Sequence, residues 1–308
     1  MKFLDGAVYH APRFYESNLI ESHLIEELGG NQNIIERWGD LFYAKTAAPV
    51  FWQRNIWLKP FTAEFSSISQ AAGILRSIQG GWAKSLFCCH RRGALIEEKL
   101  PRISTKPKTF PWSSAGRPPV GAWTLLNDNT LAASAECSSP FPAGCIEFVQ
   151  NHDEAPSRAY LKLWEALARC DTWPAAGERC FDAGASPGGW TWALLKLGAD
   201  VTACDRAPLA ESVMRNPNVH FIKHDAFTLR PEEIGSIDWL LCDVISYPAR
   251  LFEWVEKWLE SGLCRRFICT IKMQGGCNFD AVRRFAAIPD STVVHLWHNK
   301  HELTWIKA

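Results

Sequence analysis

Nowhere does this sequence approach the ~18 consecutive apolar residues that a membrane-spanning helix requires, so no membrane crossing is expected. Net charge is also missing, since lysine plus arginine and aspartate plus glutamate number 33 each. That balance excludes a uniformly basic nucleic-acid coat. A local patch stays open, because a phosphate responds to the charges near it and not to the total. The eleven cysteines contain no C-x-x-C pair. Cys88 and Cys89 are adjacent, while Cys204, Cys242 and Cys269 sit inside apolar runs. Such a distribution reads as buried reduced thiols, not as a disulfide framework or a zinc site, and no metal is expected. The opening Met1-Lys2-Phe3-Leu4-Asp5-Gly6 has no apolar signal core, and neither internal repeats nor low-complexity tracts occur. With 47% hydrophobic and 21% charged residues, the expectation is a globular, soluble protein of a reducing cytoplasm.

A length of 308 residues suits two domains. From about Cys180 onward, short apolar runs alternate with helical spacing. Strands are expected at Arg179–Ala183, Asp200–Cys204, His220–Lys223, Ile237–Asp243, Arg266–Ile271, Thr292–Trp297 and Leu303–Lys307. Helices are expected at Trp190–Leu197, Leu209–Met214, Ala249–Ser261 and Asp280–Ala287. Alternation of this kind predicts a doubly wound α/β domain with a parallel sheet over residues 151–308, its ligands at the C-terminal strand edge. Residues 1–150 are less regular. A strand at Ala7–His10, a helix at Asn18–Leu28 and a strand at Leu41–Lys45 suggest a smaller α+β domain, and five prolines within 101–120 mark a loop or linker.

Charge is unevenly spread in this first half. From Arg76 to Arg117 nine basic residues face only Glu97 and Glu98, a net +7 over 42 residues. Runs like this are most often solvated faces; the functional alternative is a surface that contacts phosphates. The aromatics Phe51, Trp52, Trp57 and Phe61 suit base stacking in principle, although a hydrophobic core is their commoner fate. Most of the fifteen tryptophans are assigned to packing.

The most informative segment is Phe181-Asp182-Ala183-Gly184-Ala185-Ser186-Pro187-Gly188-Gly189-Trp190-Thr191, which follows an apolar strand and opens a helix. Its glycines let the backbone turn tightly and approach a ligand. Pro187 separates it from the dinucleotide pattern, and the missing Gly-Lys-Ser/Thr separates it from a P-loop. Asp205, at the end of the next strand about twenty residues on, is placed to bind both hydroxyls of a ribose. Asp225 follows the next strand, placed to accept from a purine's exocyclic amine, and Asp243 ends the one after. One such aspartate is usually a cap or turn former. Three at successive strand ends beside a glycine loop indicate a nucleoside cofactor without a triphosphate, and S-adenosyl-L-methionine fits best.

The stretch Asp182–Trp190, together with Ala155-Pro156-Ser157-Arg158 leading to Leu161-Lys162-Leu163, Cys242-Asp243, Ile271-Lys272 and Glu302-Leu303-Thr304, resembles the FtsJ-like RNA ribose 2′-O-methyltransferases. The resemblance implies a Rossmann-like methyltransferase domain that binds S-adenosyl-L-methionine through Gly184, Ser186, Pro187, Gly188, Gly189, Trp190, Asp205, Asp225 and Asp243. It implies a catalytic tetrad of Lys162, Asp243, Lys272 and Glu302, and an RNA substrate, specifically a cytidine of 23S-type ribosomal RNA. It also implies a THUMP-like RNA-binding domain, abbreviated here, in residues 1–150. A ribose hydroxyl is a poor nucleophile, so a base must take its proton as it attacks; Lys272 is assigned that role and Asp243 its positioning. A lysine serves as base only if its pKa is lowered, by burial and by a neighbouring ammonium. The competing reading is a non-catalytic RNA-binding protein that keeps the fold without turnover.

Overall fold

The computed structural model describes residues 1–13, 18–46 and 49–308. The chain divides into two compact units: Met1–Lys108 with Ser114–Glu147, and Thr109–Ser113 with Phe148–Ala308.

In the first unit the described elements are β1 (Lys2–Phe3), β2 (Ala7–His10), α1 (Asn18–Glu27), β3 (Ile34–Trp38), β4 (Leu41–Ala44), β5 (Asn55–Trp57), β6 (Phe61–Glu64), α2 (Ile68–Ile78), β7 (Trp82–Lys84), α3 (His90–Glu97), β8 (Gly121–Asn127) and β9 (Thr130–Ser134). They make a five-stranded sheet, β1-β6-β9-β8-β7, and a four-stranded sheet, β3-β4-β2-β5. Local chemistry sets several boundaries. Ser67 caps α2 by accepting from the Gln70 N–H. The β8–β9 hairpin turns where the Asn129 N–H donates to the Asn127 side chain at 2.9 Å.

Two cores hold this unit together. Leu75 and Ile96 of the helices meet Phe61, Trp82, Trp123 and Leu125 on one side of the larger sheet. On the other side, Ala122 and Ala132 leave room for the bulky Trp38, Tyr43 and Trp57 of the smaller sheet. Covered on both faces, β8 and β9 are buried almost throughout. They therefore lack the period-two pattern that would flag a strand, and the two strands read from local pattern, Ala7–His10 and Leu41–Lys45, are joined by others. Phe51, Trp52, Trp57 and Phe61 are all buried, which leaves no face for a base.

The second unit runs α4 (Tyr160–Cys170), β10 (Arg179–Ala183), α5 (Gly189–Lys196), β11 (Asp200–Asp205), α6 (Glu211–Met214), β12 (Val219–Lys223), α7 (Pro231–Ile234), β13 (Trp239–Cys242), α8 (Pro248–Ser261), β14 (Arg266–Lys272), α9 (Phe279–Ala286), β15 (Thr292–Val294) and β16 (Glu302–Lys307). One seven-stranded sheet has the order β12-β11-β10-β13-β14-β16-β15. The first five strands are parallel as expected, with β13 and β14 nearly continuous buried apolar runs. The far edge departs from the parallel pattern. There β16 pairs antiparallel with both β14 and β15, because a short turn, not a helical crossover, joins β15 to β16. β15 also stops at Val294, short of the expected Trp297, since the chain enters that turn.

Strand order reverses between β10 and β13, so a crevice opens outside their carboxyl ends. No described helix is long and apolar enough to cross a membrane. None of the eleven cysteines forms a disulfide.

Candidate active site

The crevice is floored by the glycine loop between β10 and α5. Its turn is tied to β11, where the Gly184 and Ala185 N–H groups both donate to the Cys204 carbonyl, at 2.9 and 3.2 Å. Gly184 has φ +79° and Gly188, the cap of α5, φ +111°. A Cβ on Gly184 would land on the Val244 side chain, and one on Gly189 on the Ser157 hydroxyl. Both close approaches explain why glycine stands there.

A cleft of about 340 Å³ lies above this loop, a size suited to a small ligand. Gly184, Ser186, Pro187, Gly189, Trp190, Asp205, Asp243 and Lys272 line it, with Asp182 beneath. Asp225 lines an adjoining recess that shares Gly184 and Asp205. Gly188 contributes backbone geometry; the structure does not place it on the cleft lining. Asp205 shapes the loop, accepting from the Ser186 N–H at 3.0 Å and the Ala207 N–H at 2.9 Å. Asp225 accepts from the Phe227 N–H at 3.1 Å and pairs with Arg206 and Arg250.

Asp182 is buried inside β10, with one oxygen accepting from the Thr191 hydroxyl at 2.6 Å. Its other oxygen has no hydrogen-bond partner among the described residues. Three carboxylates on the lining, one of them with an unsatisfied buried oxygen, suit a ligand that carries positive charge, as S-adenosyl-L-methionine does on its ammonium and sulfonium.

Burial drives the Asp182 carboxyl up to about 7, against the Thr191 hydrogen bond that favours its charged form, and the neighbouring Asp243 adds repulsion. Unfolded, this carboxyl loses its proton near pH 4. Between that value and about 7 the native state holds a proton the unfolded chain has lost, so stability falls as pH rises across that window and levels off above it. Asp182→Asn removes the titration. The thermal midpoint of the variant minus that of wild type is expected to climb from pH 4 to 7 and then stay flat; a difference constant with pH would refute this.

Behind the cleft stand four charged side chains that three elements and one loop bring together. Asp243 follows β13, Lys272 ends β14, and Glu302 opens β16 directly opposite Lys272 in the antiparallel register. Lys162 reaches them from α4. Its Nζ lies 2.9 Å from Asp243 Oδ1 and 2.8 Å from Glu302 Oε1. Lys272 Nζ lies 3.1 Å from the same Asp243 oxygen and donates to the Asp243 carbonyl at 2.7 Å. Only Asp243 and Lys272 of the four face the cleft.

The expected mutual depression of the two lysines is not what Lys162 experiences. Burial presses its pKa down, but the Asp243 and Glu302 carboxylates outweigh that and the net shift is upward. Lys162 is thus a fixed ammonium. Asp243 feels burial pushing it up and the two ammoniums pulling it down, and the ammoniums win.

Sequence reasoning missed the brace behind Glu302. Glu165, fully buried on α4, accepts the Trp297 and His298 N–H groups at 2.7 and 2.9 Å. Asn299, also buried, donates to the Glu302 carbonyl at 3.1 Å and the Thr304 hydroxyl at 3.0 Å. The His295 ring lies 2.9 Å from the Lys300 carbonyl. These contacts fix the turn that aims Glu302 at Lys162. A usable signal existed for Glu165, an acid on a helix whose other positions are mostly apolar.

Residues 155–287 match the family model for FtsJ-like methyltransferase. Among curated proteins, the chain is 32% identical over 268 residues to the ribosomal RNA large subunit methyltransferase M of Thauera aminoaromatica, covering 82% of this chain and 64% of that one. Proteins of the same name from an Azoarcus species and from Azotobacter vinelandii are 36% and 37% identical, over 54% and 49% of this chain and 49% and 44% of theirs. The chain thus spans less than two thirds of the length of these relatives. The solved magnesium protoporphyrin IX methyltransferase from Synechocystis PCC 6803 aligns over 43% of this chain and 71% of that one at 15% identity and a TM-score of 0.32, too distant to carry an argument. Over residues 155–287 the chain is thus similar to the FtsJ-like methyltransferases, a family whose methyl donor is S-adenosyl-L-methionine.

Proposed function

We propose that the protein is an RNA ribose 2′-O-methyltransferase acting on large-subunit ribosomal RNA, with a cytidine of 23S-type RNA as acceptor. The observation that carries this reading is the pair Asp243–Lys272 at the cleft wall, backed by the doubly paired Lys162. The cofactor, when bound, supplies an electrophilic methyl group on sulfur. Gly184, Ser186, Pro187, Gly188, Gly189 and Trp190 shape its seat; Asp205, Asp225 and Asp243 give it polar contacts. Lys272, once its amine has lost its own proton to solvent, takes the proton of the ribose hydroxyl as that oxygen attacks the methyl carbon. Asp243 orients Lys272, and Lys162 with Glu302 holds Asp243 in place. Holding the hydroxyl in line with the methyl carbon supplies the rest of the rate.

We assign RNA holding to the first unit, as an abbreviated THUMP-like domain. Supporting this, seven of its nine clustered basic residues (Arg76, Lys84, Arg91, Lys99, Arg102, Lys106 and Arg117) are exposed. The test is transfer of a tritiated methyl group to ribosomal RNA from cells lacking the gene, with the modified position then mapped. Transfer to a ribose of large-subunit RNA is expected. Cofactor binding without transfer to any RNA would favour the non-catalytic RNA-binding reading.

The cradle gives a separate expectation. Gly184→Ala forces a side chain into a left-handed backbone and onto Val244, so affinity for S-adenosyl-L-methionine should fall by about tenfold or more. Calorimetric titration of the variant checks it; unchanged affinity would refute the close approach.

A further inference from the structure

Beyond Asp243 the chain leaves β13 along the cleft rim and enters α8. Exposure alternates along this segment: Ile245 is 76% exposed, Ser246 6%, Tyr247 65%, and Pro248 is buried. The alternation shows a segment anchored by Ser246 and Pro248 that holds its two bulky apolar side chains outward. Ile245 is the most exposed large hydrophobic residue among those described. It stands on the rim common to the Asp243–Lys272 cleft and the Asp225 recess, both otherwise edged mainly by polar, charged or small residues. An aliphatic and an aromatic side chain displayed together beside such a site mark a contact surface for something apolar and flat.

We propose that Ile245 and Tyr247 form the platform on which the nucleobase of the acceptor nucleotide packs, so that the enzyme takes an unpaired nucleotide. This rests on the ribose-methylation reading above. A ribose brought to Lys272 carries its base along, and a base drawn out of a helix loses its stacking neighbours. The exposed Tyr247 ring, two residues beyond the rim residue Ile245, replaces them without regard to sequence. The aliphatic Ile245 supplies contact area next to it.

The test uses the full-length protein and large-subunit ribosomal RNA from cells lacking the gene. Tyr247→Ala and Ile245→Ser should each raise KM for that RNA, Tyr247→Ala by roughly 5- to 150-fold, the value of one base–aromatic stack. Tyr247→Phe should restore wild-type KM, because the ring face is kept. For Tyr247→Ala, affinity for S-adenosyl-L-methionine, measured by calorimetry, should move less than about twofold. A complementary oligonucleotide laid across the mapped position should slow wild type far more than Tyr247→Ala. Unchanged KM in both variants, or a loss confined to cofactor affinity, would overturn the platform while leaving ribose methylation standing. No transfer by wild type would overturn the underlying reading and the platform with it.

Discussion

Replacing Lys272 with alanine is expected to lower the rate of methyl transfer by about 10²- to 10⁴-fold, the range that a positioned general base contributes. The more telling substitution is Lys272→Arg. Arginine keeps a positive charge beside Asp243, but its guanidinium does not give up a proton in a protein. If Lys272 removes the hydroxyl proton, Lys272→Arg should be as inactive as Lys272→Ala. If the residue serves only as a charge next to Asp243, arginine should recover much of the rate. Single-turnover transfer to ribosomal RNA, with cofactor affinity measured alongside, separates the two. Recovery by arginine would sink the assignment of the base.

Asp243→Ala should be the most destabilising change in the cluster. Its carboxylate is the shared partner of both ammoniums, and all four side chains are less than a fifth exposed. Removing it leaves Lys272 without its carboxylate and Lys162 with Glu302 alone. Breaking a buried pair from one side costs about 3–5 kcal/mol, which for a unit of this size is a midpoint drop on the order of 10 °C. The folded carboxyl titrates below its ordinary value because Lys162 and Lys272 outweigh its burial. Its contribution is therefore complete above the unfolded pKa near 4 and is lost as pH falls through the lower folded one. Wild type and variant should accordingly differ most at neutral pH and converge in acid. Thermal melts across pH 2–8 test this, and a gap that widens in acid would contradict the pairing.

Much of this site could be read along the chain because its parts sit at places with local signatures. Asp205, Asp243 and Lys272 each lie at the end of an apolar run, and the glycine loop announces its own turn. What local pattern alone could not show, and only the resemblance supplied, depends on pairing between distant segments. No local pattern in Leu303–Lys307 tells that this strand runs antiparallel between two others, yet that register alone puts Glu302 opposite Lys272. Lys162 would by default be a surface residue; only the packing of α4 shows it is buried between two carboxylates. Asp182 illustrates the converse. A carboxyl in the middle of the apolar run Cys180–Ala183 was visible, but its meaning came from the unsatisfied oxygen beneath the cleft. In the first unit, periodicity alone does not show β8 and β9, because burial on both faces erases alternation.

The sheet order at the far edge has a consequence for how the molecule acquires its activity. β15 precedes β16 in the chain, yet among the described residues its strand partner is β16, which inserts between it and β14. Until that insertion, β15 has no ladder to join. The cofactor cleft, by contrast, is built from β10, β11, β13 and the end of β14, adjacent strands already paired with one another. Recognition of the cofactor and completion of the charged cluster thus depend on different parts of the sheet. On the mechanism proposed above, a chain with β16 detached would keep the seat but lack the Glu302 carboxylate that, with Asp243, fixes Lys162, so insertion of a single strand would separate binding from turnover.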